Sequence, residues 1–461
     1  MKEQTTSKFL VILFIFSFAP FFLSHEKAIN FSPYNYGICQ LLLFGIVYSL
    51  KGFSKNVFLF SPSFIAVSYI NLNFLLGSFV FQSRLVFNDF NSTYSSWNHA
   101  NLVMTYFNLA NFAIVLSYFL APKISFFFNL KSLGDLRKFS SGVIYFTGSC
   151  IIIIFTIFEF NLDIIGGDGS FSEVPKTLGA ILIIVNIFRN PSIKKRIILY
   201  FILLLCFSIM SWEDKRDAIF LLLPMLILES TKFKLKINLK KILLILCSVG
   251  LVFYLIIVMS IIRGYGQYKV DGFLEANNHV LDYVKGDNFI PSFMNNLEIS
   301  YTYLHSNNAV EKIIEYPELK TYGGTIIKPL FILIPRNIMP NKPQSIIHHY
   351  TNEFSQEYRE KGGSWPVSFQ SEMFWNFSFF GVFIGAIFFY IFNILYKYTI
   401  KLTNVNNIIN YIPLLYFYEA LLILFRGSGL DMFFVFILIS TIIFITLKVS
   451  LRVIYVIVKA R

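Results

Sequence analysis

Arg263-Gly264-Tyr265-Gly266 opens a polar stretch that runs to Gln370 and divides the chain into two apolar blocks. Residues 1–262 and residues 371–461 consist mainly of apolar runs of about 15 to 23 residues, separated by short polar connectors. Runs of this length are typical of helices that cross a membrane. The sequence therefore predicts an N-terminal transmembrane block at 1–262, a large extramembrane loop at 263–370 and a C-terminal transmembrane block at 371–461.

The composition indicates the same class of protein. Hydrophobic residues make up 56% of the 461 residues and charged residues only 14%, whereas a soluble domain carries about 25% charge. The apolar runs predict about 12 transmembrane helices, about nine before the loop and about three after it. The first run, Phe9–Leu23, lacks a small-residue cleavage pattern, so we expect an uncleaved span. The predicted fold is an all-α, polytopic integral membrane protein.

We expect the second span at 36–50 and the first span after the loop at 374–396. Within the loop, Ile326–Pro335 is an apolar run that is too short to span a membrane. That run predicts a re-entrant or interfacial segment, and the rest of the loop predicts short helices and turns.

The positive charge predicts an orientation rather than a nucleic-acid partner. The net charge is +13, but the loop is close to neutral and the excess lies in short connectors. With the N-terminus in the cytoplasm, most Lys and Arg outside the loop fall on the cytoplasmic side, as the positive-inside rule requires. We therefore predict that both termini are cytoplasmic, that the loop is on the outer side, and that the chain binds no nucleic acid.

Two arginines share one sequence setting at the predicted outer face. Arg263 and Arg426 each begin an Arg-Gly-x-Gly pattern directly after an apolar run. A guanidinium at that depth can bind a lipid phosphate through two parallel hydrogen bonds, and the glycines permit a sharp turn. The alternative is that both arginines only reach toward the interface while the glycines end the helices.

Two further arginines are candidates for the site: Arg336 as a catalytic residue and Arg216 as a substrate-binding residue. Arg336 lies between Pro335 and Pro340, which stiffen the backbone around it. Arg216 belongs to a short, highly charged turn at 212–217 and is a candidate to face a cavity. A solvated turn is the simpler interpretation of Arg216.

Glu372 is the acidic residue that the sequence singles out. It lies at the start of an apolar run, where partial removal from water would suit a general base. A carboxylate near a helix N-terminus is also favourable, so a capping role competes. Glu419 and Asp431 flank Arg426, and an ion pair with that arginine is the simplest interpretation of both acids.

Glu298 and His305 are seven residues apart, so a helix would place them on one face, where both are candidates to bind substrate. The four cysteines lie singly in apolar runs and indicate neither a disulfide framework nor a metal site. No phosphate-binding glycine loop or paired-histidine metal motif is present in the sequence. We therefore expect no metal and no nucleotide cofactor.

An outward-facing site with several arginines, one or two carboxylates and aromatic rings suits a lipid-phosphate-linked substrate. Such a site must bind the diphosphate, stabilise its charge as it leaves and deprotonate an acceptor hydroxyl. Aromatic side chains of the loop, Trp365 among them, would stack on sugar faces.

The loop resembles that of the Wzy-type O-antigen and oligosaccharide repeat-unit polymerases. The resemblance rests on the overall plan and on the residues Tyr322-Gly323-Gly324-Thr325, Ile334-Pro335-Arg336, Pro340-Asn341-Lys342-Pro343, and Glu372 with Asn376-Phe377 and Gly381. It implies a membrane glycosyltransferase with a GT-C-like plan in the bacterial inner membrane. This enzyme would join undecaprenyl-diphosphate-linked glycans without a metal and act beside a chain-length regulator in the membrane.

The resemblance also implies roles for residues: Arg336 and Arg263 would bind diphosphate, and Glu372 would belong to the catalytic site. Two other functions share much of this pattern. An O-antigen ligase would use the same donor, and a flippase or exporter of lipid-linked oligosaccharide would share the membrane plan. The sequence lacks the two similar halves that are common in such transporters.

Overall fold

The described part of the chain is mainly helical. The computed structural model describes the chain apart from positions 1, 87, 123–140, 158–172, 211–214, 233–249, 251–252, 263, 265–269, 271, 287–288, 297–298, 332–333, 335–337, 404–410, 443–444 and 446–461. The described residues contain helices and no strand, in agreement with the predicted all-α class.

The N-terminal block contributes eleven of the helices that are described. They are α1 (Lys2–Ser17), α2 (His25–Ser49), α3 (Gly52–Leu59), α4 (Pro62–Gln82), α5 (Asn88–Ser95), α6 (Ala100–Leu120), α7 (Ser141–Ile157), α8 (Glu173–Phe188), α9 (Ile193–Met210), α10 (Lys215–Lys232) and α11 (Phe253–Ile262).

The predicted loop folds into short helices, and four helices follow it. The loop helices are α12 (Phe273–Asn278), α13 (Val280–Lys285), α14 (Phe289–Asn296), α15 (Ile299–Glu315), α16 (Gly324–Ile327), α17 (Ile346–Phe354) and α18 (Gln356–Glu360). The last four helices are α19 (Phe369–Phe377), α20 (Gly381–Thr403), α21 (Tyr411–Phe425) and α22 (Leu430–Ile442). Short 3-10 turns occur at Ala19–Phe22, Pro317–Leu319, Lys328–Phe331 and Ser378–Phe380.

Four helical stretches among the described residues are long and apolar enough to cross a membrane: Thr5–Phe22, Pro62–Gln82, Ala100–Leu120 and Phe369–Ile400. Five shorter apolar helices of 10–17 residues accompany them. These stretches support the predicted membrane class, whereas the number of about 12 spans and their orientation stay predictions.

Helix α2 is longer than its apolar run predicts, because it begins at His25 rather than near residue 36. Its polar first half is helical because Ala28, Ser32 and Asn35 are buried against neighbouring helices. Pro33 within this half has no N–H to donate to the carbonyl of Ile29. The side-chain amide of Gln82 on α4 donates to that carbonyl instead, at 2.6 Å.

The apolar run predicted at 374–396 also begins earlier and contains a break. Helix α19 starts at Phe369, after the Ser368 hydroxyl, which accepts the N–H of Ser371. A 3-10 turn with Ser378 at φ 52° separates α19 from α20. Gly381 makes the close approach possible, because a Cβ there would lie 2.4 Å from the carbonyl oxygen of Met373.

A chain of buried side-chain amides joins the central helices. Asn71 of α4 donates to Gln40 of α2 at 3.4 Å and accepts from Asn111 of α6 at 3.1 Å. Gln370 of α19 donates in turn to Asn111 at 3.1 Å. Interhelical hydrogen bonds of this kind stabilise helix packing where water is absent. They fix the start of α19 against the N-terminal block.

Helix α15 ties the loop to the same helices. Its Tyr303 lies against Gly77 of α4, where a Cβ would come within 2.4 Å of the Tyr303 Cβ. The Tyr303 hydroxyl also hydrogen-bonds Ser32 of α2 at 3.0 Å. The side chain of Ser371 donates to the carbonyl of Ser306 at 2.8 Å. The loop is therefore packed on the helix ends around α19.

Candidate functional site at the start of α19

Glu372 lies in the first turn of α19 and is fully buried. Its Oε1 accepts the hydroxyl of Thr325, on α16 of the loop, at 2.7 Å. Its Oε2 accepts the backbone N–H of Leu430, the first residue of α22, at 2.8 Å. A carboxylate is favourable at that position because the N-terminus of a helix carries a partial positive charge. Glu372 therefore joins the loop, α19 and α22 through one side chain.

Asn376, one turn later on α19, holds the loop turn that carries Thr325. Its Oδ1 accepts from the Thr321 hydroxyl at 2.7 Å and from the N–H of Gly323 at 2.9 Å. Its Nδ2 donates to the Thr325 hydroxyl at 2.8 Å. Gly323 has φ 91°, a conformation that glycine adopts without steric cost. The turn at 321–325 is thus fixed on α19.

A buried ion pair lies beside Glu372. Lys328 Nζ, from the 3-10 turn after α16, is 2.5 Å from Asp431 Oδ2 on α22, and only 12% of the Lys328 side chain is exposed. The second oxygen of Asp431, Oδ1, is buried and accepts no hydrogen bond from the described residues. The carboxylates of Glu372 and Asp431 thus both lie near Lys328. Of their four oxygens, Asp431 Oδ1 is the one that has no hydrogen-bond donor among the described residues.

The Arg426-Gly427-Ser428-Gly429 turn connects α21 to α22 and shapes this cluster. Gly427, at φ 91°, accepts the N–H of Val367 at 3.1 Å, and a Cβ there would lie 2.8 Å from the backbone of Val367. Gly429, at φ 89°, leaves room for Asp431, because a Cβ there would lie 2.7 Å from Asp431 Oδ1. Arg426 is half-buried at the end of α21.

The sequence pairs Asp431 with Arg426, but the ion pair that the structure gives Asp431 is with Lys328. Glu419 lies further back on α21, fully buried, and neither of its carboxylate oxygens accepts a hydrogen bond within the described part of the chain. Glu419 is seven residues from Arg426, or roughly two helical turns.

His305 and Trp365 come together in an aromatic cluster of the loop. Their rings stack with centroids 4.3 Å apart, and the rings of Tyr301, Tyr350 and Phe354 surround His305. His305 Nδ1 is 2.8 Å from the Tyr350 hydroxyl. Burial lowers the pKa of the His305 imidazole to about 3, so the ring is neutral at physiological pH.

The Trp365 ring has two close aromatic neighbours. Besides His305, the ring of Tyr358 lies 4.6 Å away by centroid. The substrate-binding roles of His305 and Trp365 stay predictions, and their observed contacts are those of a packed aromatic core.

The other predicted site residues are placed only in part. Arg216 lies in α10, and its side chain is outside what the structure describes. Arg263, Glu298 and Arg336 also lie outside the described residues. Their predicted contacts with diphosphate and sugar stay predictions. Glu298 immediately precedes α15, which carries His305.

One group of possible metal ligands occurs within the described residues: His99, Glu311 and Glu315, whose ligand atoms lie within 4.8 Å of one another. Glu311 Oε1 already accepts the backbone N–H groups of Asn98 and His99, each at 2.7 Å. These N–H groups lie at the start of α6 and have no acceptor within the helix. Glu311 therefore acts as a cap for this helix. The expectation of no bound metal stays a prediction.

The sequence names Thr325, Asn376 and Asp431 individually but does not predict how they meet. It also leaves Lys328 without a partner. The signal for Lys328 is a single positive charge in an otherwise apolar run, and Asp431 is the matching acid at the start of an apolar helix. Ionisable groups in apolar segments usually pair with one another. Their opposite charges could therefore have suggested that Lys328 and Asp431 form an ion pair.

Comparison of the chain with protein-family models, with curated protein sequences and with solved structures gives no match in any of the three. The candidate site therefore stands on its own geometry.

Proposed function

We propose that this chain is an inner-membrane glycosyltransferase that polymerises undecaprenyl-diphosphate-linked oligosaccharide repeat units into a surface polysaccharide such as O-antigen, on the periplasmic face. The observation that carries the proposal is the contact between the residues of the resemblance. Tyr322-Gly323-Gly324-Thr325 hydrogen-bonds Glu372 and Asn376, although about fifty residues separate the two motifs. Motifs that are distant in sequence thus form one buried charged cluster beside the helix ends.

The reaction needs a proton acceptor for the attacking hydroxyl. Glu372 has both oxygens occupied, by the Thr325 hydroxyl and the Leu430 N–H. Asp431 has Oδ1 without a donor among the described residues, and Lys328 stabilises its negative charge. We therefore assign the base to Asp431 Oδ1 and a positioning role to Glu372, which fixes Thr325 and the start of α22.

The transfer step balances in this arrangement. The acceptor hydroxyl gives its proton to Asp431 Oδ1 while its oxygen bonds to the anomeric carbon of the donor. The bond between that carbon and the diphosphate oxygen breaks, and the electron pair leaves with undecaprenyl diphosphate. Arg336 and Arg263 would bind the departing diphosphate, since guanidinium groups match phosphate oxygens. Asp431 is buried, so the acceptor hydroxyl reaches Oδ1 only after the residues that cover this oxygen move.

The proposal is tested by the lipopolysaccharide banding pattern of a deletion strain, complemented with wild type or with Glu372→Gln. A ladder with wild type, reduced to core plus one repeat unit in the deletion and the variant, is the result that we expect. Loss of every repeat with accumulation of lipid-linked polymer would identify a ligase. Single lipid-linked units on the cytoplasmic face would identify a flippase.

A further inference from the structure

Residues 322–331, which we call the rim segment, have a polar side and an apolar side. Thr325 is fully buried on Glu372, and Lys328 reaches inward to Asp431. Apolar side chains of the same ten residues point away from the protein. They are Tyr322 (77% exposed), Ile327 (45%) and Leu330 (80%).

The rim segment lies next to the start of α20. Its Gly323 donates to Asn376, and a Cβ on Gly323 would touch the ring of Phe377 at 3.4 Å. Phe377 itself belongs to the apolar stretch Phe369–Ile400, which is long enough to cross a membrane. The exposed face of that stretch begins with aromatic side chains: Phe379, Phe380 (60%) and Phe383 (65%).

From this continuity we infer that the rim segment lies in the membrane interface and inserts Tyr322, Ile327 and Leu330 into the leaflet beside α20. An isolated exposed apolar side chain needs no explanation, but a continuous apolar surface marks an interaction site. The exposed side chains here adjoin the surface of a span that must itself face lipid. Hydrocarbon of the same leaflet is therefore the occupant that covers them.

The length and tethers of the rim segment agree with a shallow position. Ten residues are too few to cross the bilayer, and helix α16 and the following turn are short. The hydrogen bonds to Asn376 and Glu372 hold the backbone at the helix ends rather than above them. The segment can thus place apolar side chains in lipid while its polar groups stay satisfied inside the protein.

This inference needs only the membrane-spanning character of α19 and α20 and does not depend on the proposed reaction. Its consequence for the site is direct. The same ten residues contact Glu372 and Asp431, so the buried cluster lies at the level of the lipid headgroups. A substrate whose reactive phosphate is attached to a lipid would meet the site there without leaving the membrane.

Spin labelling of full-length protein in liposomes of phosphatidylethanolamine and phosphatidylglycerol tests the position. In a cysteine-free background, nitroxide is attached at Leu330→Cys, with Phe383→Cys as the lipid reference. Lys361→Cys is the water reference, since the Lys361 side chain is 71% exposed on the C-terminal side of α18. Collision rates with oxygen, which concentrates in lipid, and with a water-soluble nickel chelate are then compared.

We expect the label at position 330 to collide with oxygen as at position 383, and several-fold less with nickel than at position 361. A label at 330 that behaves like the one at 361 would overturn the inference, because the segment would then face water. A label shielded from both reagents would overturn it too, since protein rather than lipid would cover the surface. The collision rates report position whether or not the chain polymerises sugar.

Discussion

Glu372 and Glu311 are two buried glutamates that both cap the start of a helix, but their surroundings differ. Each accepts backbone N–H groups where a helix begins: Leu430 of α22 for Glu372, and Asn98 and His99 before α6 for Glu311. Among the described residues, the ionisable side chains grouped with Glu311 are His99 and the exposed Glu315. Glu372 has beside it the buried Lys328–Asp431 pair and the loop hydroxyl of Thr325.

The difference shows why a buried carboxylate alone does not identify an active site. Capping a helix explains the contacts of Glu311 Oε1, which accepts N–H groups that have no partner within the helix. Its Oε2 is buried and, like Asp431 Oδ1, accepts no hydrogen bond from the described residues. Capping does not explain why a second carboxylate and a lysine are buried next to Glu372. Buried charges are costly unless they are paired. The burial of a lysine with a second carboxylate, rather than an acid oxygen without a donor, is therefore the feature that distinguishes Glu372 from Glu311.

The largest expected effect is a loss of polymerisation activity when the Glu372–Asp431 site is changed, but not when Glu311 is changed. Asp431→Asn removes the proposed base and should lower the polymerisation rate by about 100-fold or more. Glu372→Gln should also abolish the ladder, because an amide cannot accept both of the hydrogen bonds that Glu372 accepts. Glu311→Gln is the matched control and should leave chain length unchanged per folded molecule. Equal loss of activity at Glu311 and Asp431 would remove the distinction.

Substitutions in the Lys328–Asp431 ion pair can separate an effect on stability from an effect on catalysis. Lys328→Met or Asp431→Leu alone leaves one buried charge unpaired and should destabilise the protein by about 3–5 kcal/mol. The double variant removes both charges and should recover most of that loss, measured as apparent unfolding temperature in detergent. It should still make no polymer. Polymerisation by the refolded double variant would show that Asp431 is only structural.

The predicted diphosphate contacts come next in size. Arg336→Ala and Arg263→Ala each remove charged hydrogen bonds worth about 1.5–3 kcal/mol, or roughly 10- to 100-fold in rate. Both variants should be present in the membrane at wild-type amounts and fail to extend the glycan. Arg189→Ala, at the end of α8, is a control arginine outside the cluster. Normal chain length in the first two variants would contradict the proposed binding of diphosphate.

A smaller effect on the stability of the protein is expected when Glu311 is replaced. Glu311→Ala leaves the N–H groups of Asn98 and His99 without their acceptor, at a cost of about 1–3 kcal/mol. The apparent unfolding temperature in detergent should fall, and the activity of the remaining folded protein should not. The exposed Glu315, replaced by alanine, should change neither quantity. A loss of specific activity in Glu311→Ala would argue for a metal or substrate at His99.

The smallest effect concerns the aromatic cluster of the loop. Burial lowers the pKa of His305 from about 6.5 to about 3, so the unfolded chain binds a proton there more readily than the folded chain. Stability from this residue is therefore complete above pH 6.5 and is lost as the pH falls toward 3. The slope is at most about 1.4 kcal/mol per pH unit.

His305→Gln removes this titrating group and should flatten the dependence of unfolding temperature on pH between 6.5 and 5. His25→Gln, on the exposed start of α2, should leave it as in wild type. Equal slopes in wild type and His305→Gln would mean that the ring is protonated in the folded protein.

The sequence predicts the helical membrane class well because apolar run length is a direct physical signal. It places Glu372 at a helix start and groups Tyr322–Thr325 with Asn376 through the resemblance. It does not predict the early start of α2, since tertiary burial of Ser32 and Asn35 overrides a polar pattern. It also misses the Lys328–Asp431 pair, because 103 residues separate the partners and only the folded loop brings them together.

The most direct measurement uses the purified chain in proteoliposomes with an undecaprenyl-diphosphate-linked repeat unit and no other enzyme. Gel separation of the lipid-linked products reports chain length, and wild type is compared with Asp431→Asn. We expect that wild type yields dimers and longer glycans with release of undecaprenyl diphosphate, and that the variant yields none above background. Extension at equal rates by both proteins, or none by wild type while the substrate stays intact, would contradict it.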